Sequence, residues 1–167
     1  MKMKRPLRAV IIDDDPVELS YLRHILQRRG YEVQSYESPI KSPLYQGKKC
    51  PCSLDARCPD LIITDYSMPD VNGVELLEMS TKKGCHCRHL ALIAGKGLLE
   101  GDLLRVAKFG TRYFLKPIDL DDFYPWLDRV EQDIDHRFSD PLLPGITPHQ
   151  PTHHQNEHHY QDSMSPV

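Results

Sequence analysis

Apolar runs of strand length alternate along this chain with segments whose apolar residues recur at helical spacing. Residues 7–12 are apolar apart from Arg8, which predicts a buried strand. Pro16 then opens a helical segment with Leu19, Leu22, Ile25 and Leu26 on one face, and Gly30 predicts its end. Residues 31–36 alternate as a second strand, 61–64 form a third apolar run, and 74–83 are helical with Gly84 as the stop. A fourth strand is expected over 90–94, a helix over 98–109 ended by Gly110, and a short fifth strand over 113–115. From Asp119, the expected N-cap, a last helix carries Phe123, Trp126, Leu127, Val130, Ile134 and Phe138 on one stripe. Repeated switching between a period of 2 and one of 3.6 predicts the α/β class, a parallel sheet wrapped by helices.

Two stretches break the alternation. Residues 38–59 contain prolines at 39, 43, 51 and 59 and three cysteines, so a Cys-rich irregular insertion is expected to replace or shorten the second helix. Beyond Phe138 the chain turns to proline, histidine, glutamine and serine, a composition that cannot offset its ordering entropy. The expected organisation is one domain over 1–138 and a disordered His/Pro-rich tail over 139–167.

Composition narrows the function. With 167 residues, 40% of them hydrophobic, the chain can bury the core of one domain. A formal net charge of -3 disfavours nucleic acid as a partner. No apolar run approaches the roughly 18 residues of a membrane span, and the apolar run near the N-terminus is too short for a signal peptide. A soluble cytoplasmic protein is therefore expected, and its five cysteines do not read as a disulfide framework.

In an open parallel sheet, ligands bind outside the carboxyl ends of the strands. The first strand ends in Asp13, Asp14 and Asp15, the third in Asp65, and the fifth in Lys116 and Pro117. Asp15, directly before Pro16, reads as a helix cap. Clustered carboxylates repel unless a cation favours their ionised form, and oxygen ligands beside phosphate suit Mg²⁺. A carboxylate flanked by Mg²⁺ and a lysine can attack a phosphoryl donor, because both cations stabilise the charge on the transferring oxygens. Asp65 is the expected nucleophile.

These residues resemble the receiver domain of response regulators, the family of the chemotaxis protein CheY, in two-component signal transduction. The resemblance rests on Asp13 with Asp14, on the run Asp65, Tyr66, Ser67, Met68, Pro69 through Gly73, and on Lys116 with Pro117, in that order along roughly 7–138. It implies a flavodoxin-like doubly wound sheet of five strands in the order 2-1-3-4-5. It also implies Mg²⁺ held by Asp13, Asp14, Asp65 and the backbone carbonyl of Ser67, a phosphoryl contact from Lys116, and a cis bond between Lys116 and Pro117. Tyr113 falls at the family's aromatic switch position.

One departure concerns the end of the fourth strand, where the family carries Ser or Thr and this chain has Ala94. A lost hydrogen bond to a charged acceptor is about 1.5–3 kcal/mol, so phosphorylation is expected to survive with weaker switching. The expected function is a stand-alone receiver, not an enzyme, that takes a phosphoryl group from a sensor histidine kinase or phosphotransfer protein and signals to a downstream protein. The alternative is a degenerate receiver that docks partners without phosphorylation and responds to metal or redox state through its cysteines. An aspartate-nucleophile phosphatase would want an acid two positions after Asp65, where Ser67 stands.

Cys50, Cys52 and Cys58 precede the third strand, and Cys85 and Cys87 precede the fourth. With those strands adjacent, the two loops lie together opposite the acidic site. Five thiols there form a candidate soft-metal site for Zn²⁺ or an iron-sulfur centre. His149, His153, His154, His158 and His159 of the tail are assigned no site.

Overall fold

The computed structural model describes residues 5–50 and 58–139. It contains the strands β1 (Leu7–Ile12), β2 (Tyr31–Tyr36), β3 (Leu61–Asp65), β4 (His89–Ala94) and β5 (Arg112–Leu115). The helices are α1 (Pro16–Arg28), α2 (Gly73–Lys82), α3 (Glu100–Lys108) and α4 (Leu120–Ser139). All neighbouring strands are parallel, in the order β2-β1-β3-β4-β5.

Alternation within the strands sorts the core into two layers, because successive side chains point to opposite faces. Ala9, Ile11, Leu61, Ile63, Ala91 and Ile93 pack with Leu19, Leu22, Leu26, Phe123 and Leu127 of α1 and α4. Their neighbours Val10, Ile12, Ile62 and Leu90 pack with Leu76 and Leu77 of α2, while Leu92 meets Val74 of α2 and Val106 of α3. Both faces of the central strands are therefore apolar, as a doubly wound sheet requires.

The helix ends follow local chemistry. Asp15 accepts a hydrogen bond from the Val17 amide at 2.8 Å, and Asp119 from the Asp121 amide at 2.9 Å, so both act as the expected caps. Asn72 and Glu75 form a capping box that starts α2 at Gly73. The third helix begins at Glu100, two residues later than its periodicity implies, because Leu99 is extended and no side chain caps it. Between β2 and β3 the described residues contain a single 3-10 turn, Pro39–Lys41, and no α-helix. Residues 51–57, with Cys52, and the expected disordered tail from 140 onward lie outside the described residues.

Candidate functional site

Because β1, β3 and β5 run parallel, their carboxyl ends open on one edge of the sheet. Lys116, directly after β5, bridges the two carboxylates there: its Nζ stands 2.9 Å from Asp13 Oδ2 and 2.6 Å from Asp65 Oδ1. The other carboxylate oxygens are held by backbone. Asp13 Oδ1 accepts from the Asp15 amide at 2.9 Å, and Asp65 Oδ2 from the Ser67 amide at 2.7 Å. Lys116 is itself fixed by its amide, which donates to the Ala94 carbonyl at 2.9 Å, and its bond to Pro117 is cis.

Asp13 and Asp65 are only 1% and 4% exposed. Burial pushes the Asp13 carboxyl above the ordinary aspartate range; hydrogen bonds from the Asp15 amide and Lys116 oppose the rise, and the Asp65 charge adds to it. Burial alone would lower Lys116, but its hydrogen bonds to Asp65 and Asp13 outweigh that and hold the ammonium above the usual lysine value. Two carboxylates against one ammonium leave a negative excess at a site with only oxygen donors, which fits a hard divalent cation such as Mg²⁺. Asp14 and Ser67 sit exposed at the rim, and Asp14 is not drawn into the Asp13–Lys116–Asp65 contact.

The loop after β3 is tightly built. The Gly73 amide donates to the Tyr66 carbonyl at 3.0 Å and the Val71 amide to the Pro69 carbonyl at 2.8 Å, with Asp70 at φ 70°. A Cβ on Gly73 would stand 2.2 Å from the Asp65 carbonyl oxygen and 2.6 Å from Leu92 Cδ1. Glycine thus allows the first turn of α2 to lie directly on the Asp65 backbone.

Ala94 is fully buried at the end of β4, paired with Leu115 of β5. Tyr113 is half-buried against Val74, Leu92 and Val106, and its hydroxyl donates to the Lys96 carbonyl at 3.1 Å, which ties β5 to the loop after Ala94. Beside the phosphoacceptor candidate runs a polar chain that sequence reading missed. The Tyr66 hydroxyl donates to Asp102 at 2.7 Å; Arg105 meets the other Asp102 oxygen at 2.7 Å and holds Glu78 of α2 through two bonds of 2.7–2.8 Å. The three-residue spacing of Asp102 and Arg105 on one helix was a usable signal. Nothing local announced Tyr66 or Glu78 as their partners.

At the opposite edge of the sheet, the Cys50, Cys58 and Cys85 sulfurs lie within 4.8 Å of one another, and no disulfide joins the four described cysteines. Cys87 is nearby, its Sγ 3.5 Å from the His89 carbonyl oxygen. Burial raises the Cys85 thiol to about 12 and the Cys87 thiol well above its ordinary value.

The sequence model of the response regulator receiver domain matches residues 9–127, and the chain belongs to that family. The two-component response regulator ORR8 of Oryza sativa subsp. indica is 28% identical over 117 residues, covering 68% of this chain and 89% of the relative. The transcriptional regulatory protein TrcR of Mycobacterium tuberculosis is 22% identical over 117 residues, 70% of this chain and 42% of the relative. The chain spans less than half the length of several curated relatives it matches. A CheY-like receiver domain structure from Methanospirillum hungatei superposes with a TM-score of 0.62 at 23% identity, covering 80% of this chain and 98% of the other, which shows the same fold.

Two outcomes follow from this geometry. Gly73→Ala forces backbone and Leu92 apart and is expected to cost about 1–3 kcal/mol of stability, read from urea unfolding. Asp13, with its folded-state pKa raised above 3.8, binds more protons folded than unfolded, so without divalent cations its contribution worsens as pH rises through that window. Metal-free Asp13→Asn is therefore expected to have the higher urea midpoint at pH 7, with the difference closing below about pH 4.

Proposed function

We propose that this chain is a stand-alone cytoplasmic response regulator. It takes a phosphoryl group on Asp65 from a sensor histidine kinase or phosphotransfer protein and then presents a changed surface to a downstream protein, not to nucleic acid or a membrane. The observation that carries this reading is the Lys116 ammonium within 2.6–2.9 Å of both Asp65 and Asp13. The match to a plant protein named a two-component response regulator, over 89% of that protein's length, supports the response-regulator reading.

Asp65 Oδ1 is the carboxylate oxygen closest to Lys116, and the Ser67 amide fixes the other oxygen at 2.7 Å, so the carboxylate is oriented before a donor arrives. The new bond joins a carboxylate oxygen of Asp65 to phosphorus. The donor's phosphorus–nitrogen bond breaks, and its electron pair stays on the imidazole. Lys116, released from its contact with the ionised carboxylate, then faces the phosphoryl oxygens. A Mg²⁺ ion held by Asp13, Asp14, Asp65 and the Ser67 carbonyl would supply the remaining positive charge. No general acid stands two residues beyond Asp65, which leaves hydrolysis of the acyl phosphate slow and the protein a carrier of signal in preference to a turnover enzyme.

Ala94 supplies no hydroxyl to a phosphoryl group. Switching therefore rests on Lys116 and on the loop that Tyr113 holds through Lys96. That same absence favours a second reading, a docking module indifferent to phosphorylation.

Incubating the full chain with Mg²⁺ and acetyl phosphate separates the two readings. One phosphoryl group is expected by intact mass, lost in Asp65→Asn; an unchanged mass would leave the docking module. Ala94→Thr is expected to enlarge the phosphorylation-dependent change around residues 95–99, measured by amide hydrogen exchange, through a hydrogen bond of about 1.5–3 kcal/mol.

A further inference from the structure

We propose that Cys50, Cys58 and Cys85 are ligands of one structural Zn²⁺ ion that fastens the β2–β3 crossover to the loop before β4. Their sulfurs lie within 4.8 Å of one another, with Cys50 buried and the other two half-buried. Sulfurs on a tetrahedral zinc stand about 3.8 Å apart, given Zn–S bonds of about 2.3 Å, so small side-chain rotations close the set on one ion. One disulfide would use two of the three thiols and strand the third. An iron-sulfur cluster distributes its thiolates over several irons and needs wider separations than this group has.

One backbone amide is aimed at this group: that of His86 donates to Cys58 Sγ at 3.3 Å. Donors to sulfur orient a metal-ligating cysteine and hold charge on it. The ligands also hang on firm structure. The Cys50 amide donates to the Lys83 carbonyl at 2.7 Å, and the Cys85 amide to the Ser80 carbonyl at 3.0 Å, both at the C-terminal end of α2. The Lys83 ammonium reaches back to the carbonyls of Leu44 and Tyr45. The crossover and the α2 end are thus already in register without the ion.

Thiolates select zinc over the hard cation suited to the acidic edge. On binding, each ligating thiol releases its proton to solvent, and no oxidant takes part. Structural zinc is four-coordinate. The fourth ligand is Cys87, which follows Cys85 by two residues and interacts electrostatically with Cys85 and Cys58. The ion's role follows from the crossover, which has no α-helix among its described residues, since metal binding free energy acts as folding free energy. The site lies one strand length from Asp65, about 16 Å for the five residues of β3. It stands independently of the phosphoacceptor reading.

The test uses the full, untagged chain purified under reducing conditions. Metal analysis is expected to find one zinc per chain, and Co²⁺ in its place to give thiolate-to-metal charge-transfer absorption saturating at one equivalent. That absorption excludes the tail histidines, which supply nitrogen ligands alone. Cys50→Ser, Cys58→Ser, Cys85→Ser and Cys87→Ser should each abolish it. Phosphorylation by acetyl phosphate or, failing that, far-ultraviolet circular dichroism shows that a variant still folds. Three results would overturn the proposal: zinc retained when all three cysteines are replaced, no charge-transfer band in the parent, or iron-sulfur absorption or a disulfide among the three.

Discussion

Two carboxylates taken out of water beside one ammonium set the terms for this molecule. Asp13 and Asp65 are nearly inaccessible, and each has one oxygen on Lys116 and the other on a backbone amide. Burying an ion pair by itself gives little stability, because desolvation offsets the attraction. An arrangement with one charge too many gives less. What it provides is a carboxylate with fixed geometry and an unmet demand for positive charge at the mouth of the sheet. Of the strands that deliver these groups, β1 and β3 are neighbours, while β4 separates β3 from β5, so Lys116 meets the two carboxylates across the end of β4.

The surroundings keep that geometry from relaxing. Lys116 is tied to Ala94, Asp65 to Ser67, and the first turn of α2 sits against the Asp65 backbone. Tyr66 connects the loop to α3 through Asp102, and Arg105 carries the connection back to Glu78 on α2. A change of charge at Asp65 therefore acts on groups with defined partners on β4, β5, α2 and α3. Coupling of this kind requires contacts that differ between two states, and the Lys116 bridge is the contact that a phosphoryl group on Asp65 would alter most directly.

Most of the fold was legible in the sequence, since strands such as 90–94 are apolar on both faces and the helices carry clear stripes. The order of the strands came from resemblance, because periodicity identifies elements without saying which are neighbours. Asp13, Asp65 and Lys116 could be read from their positions at strand ends. The steric role of Gly73 could not, because a backbone contact of this kind leaves no pattern in residue type beyond the glycine itself. Nor could the link from Tyr66 to Glu78, which depends on how α2 and α3 lie side by side. The late start of α3 reflects Leu99, whose apolar side chain fits the helical period while its backbone is extended. The cysteines were visible as a group, yet which of them converge depends on the path of a proline-broken crossover that no periodicity describes.

The missing methyl at Gly73 makes the seat of α2 asymmetric. With the helix backbone already resting on the Asp65 carbonyl and Leu92, the gap between them can widen, but it has no room to narrow. Displacements that begin at Asp65 are therefore rectified: the helix acts as a backstop in one direction and yields in the other.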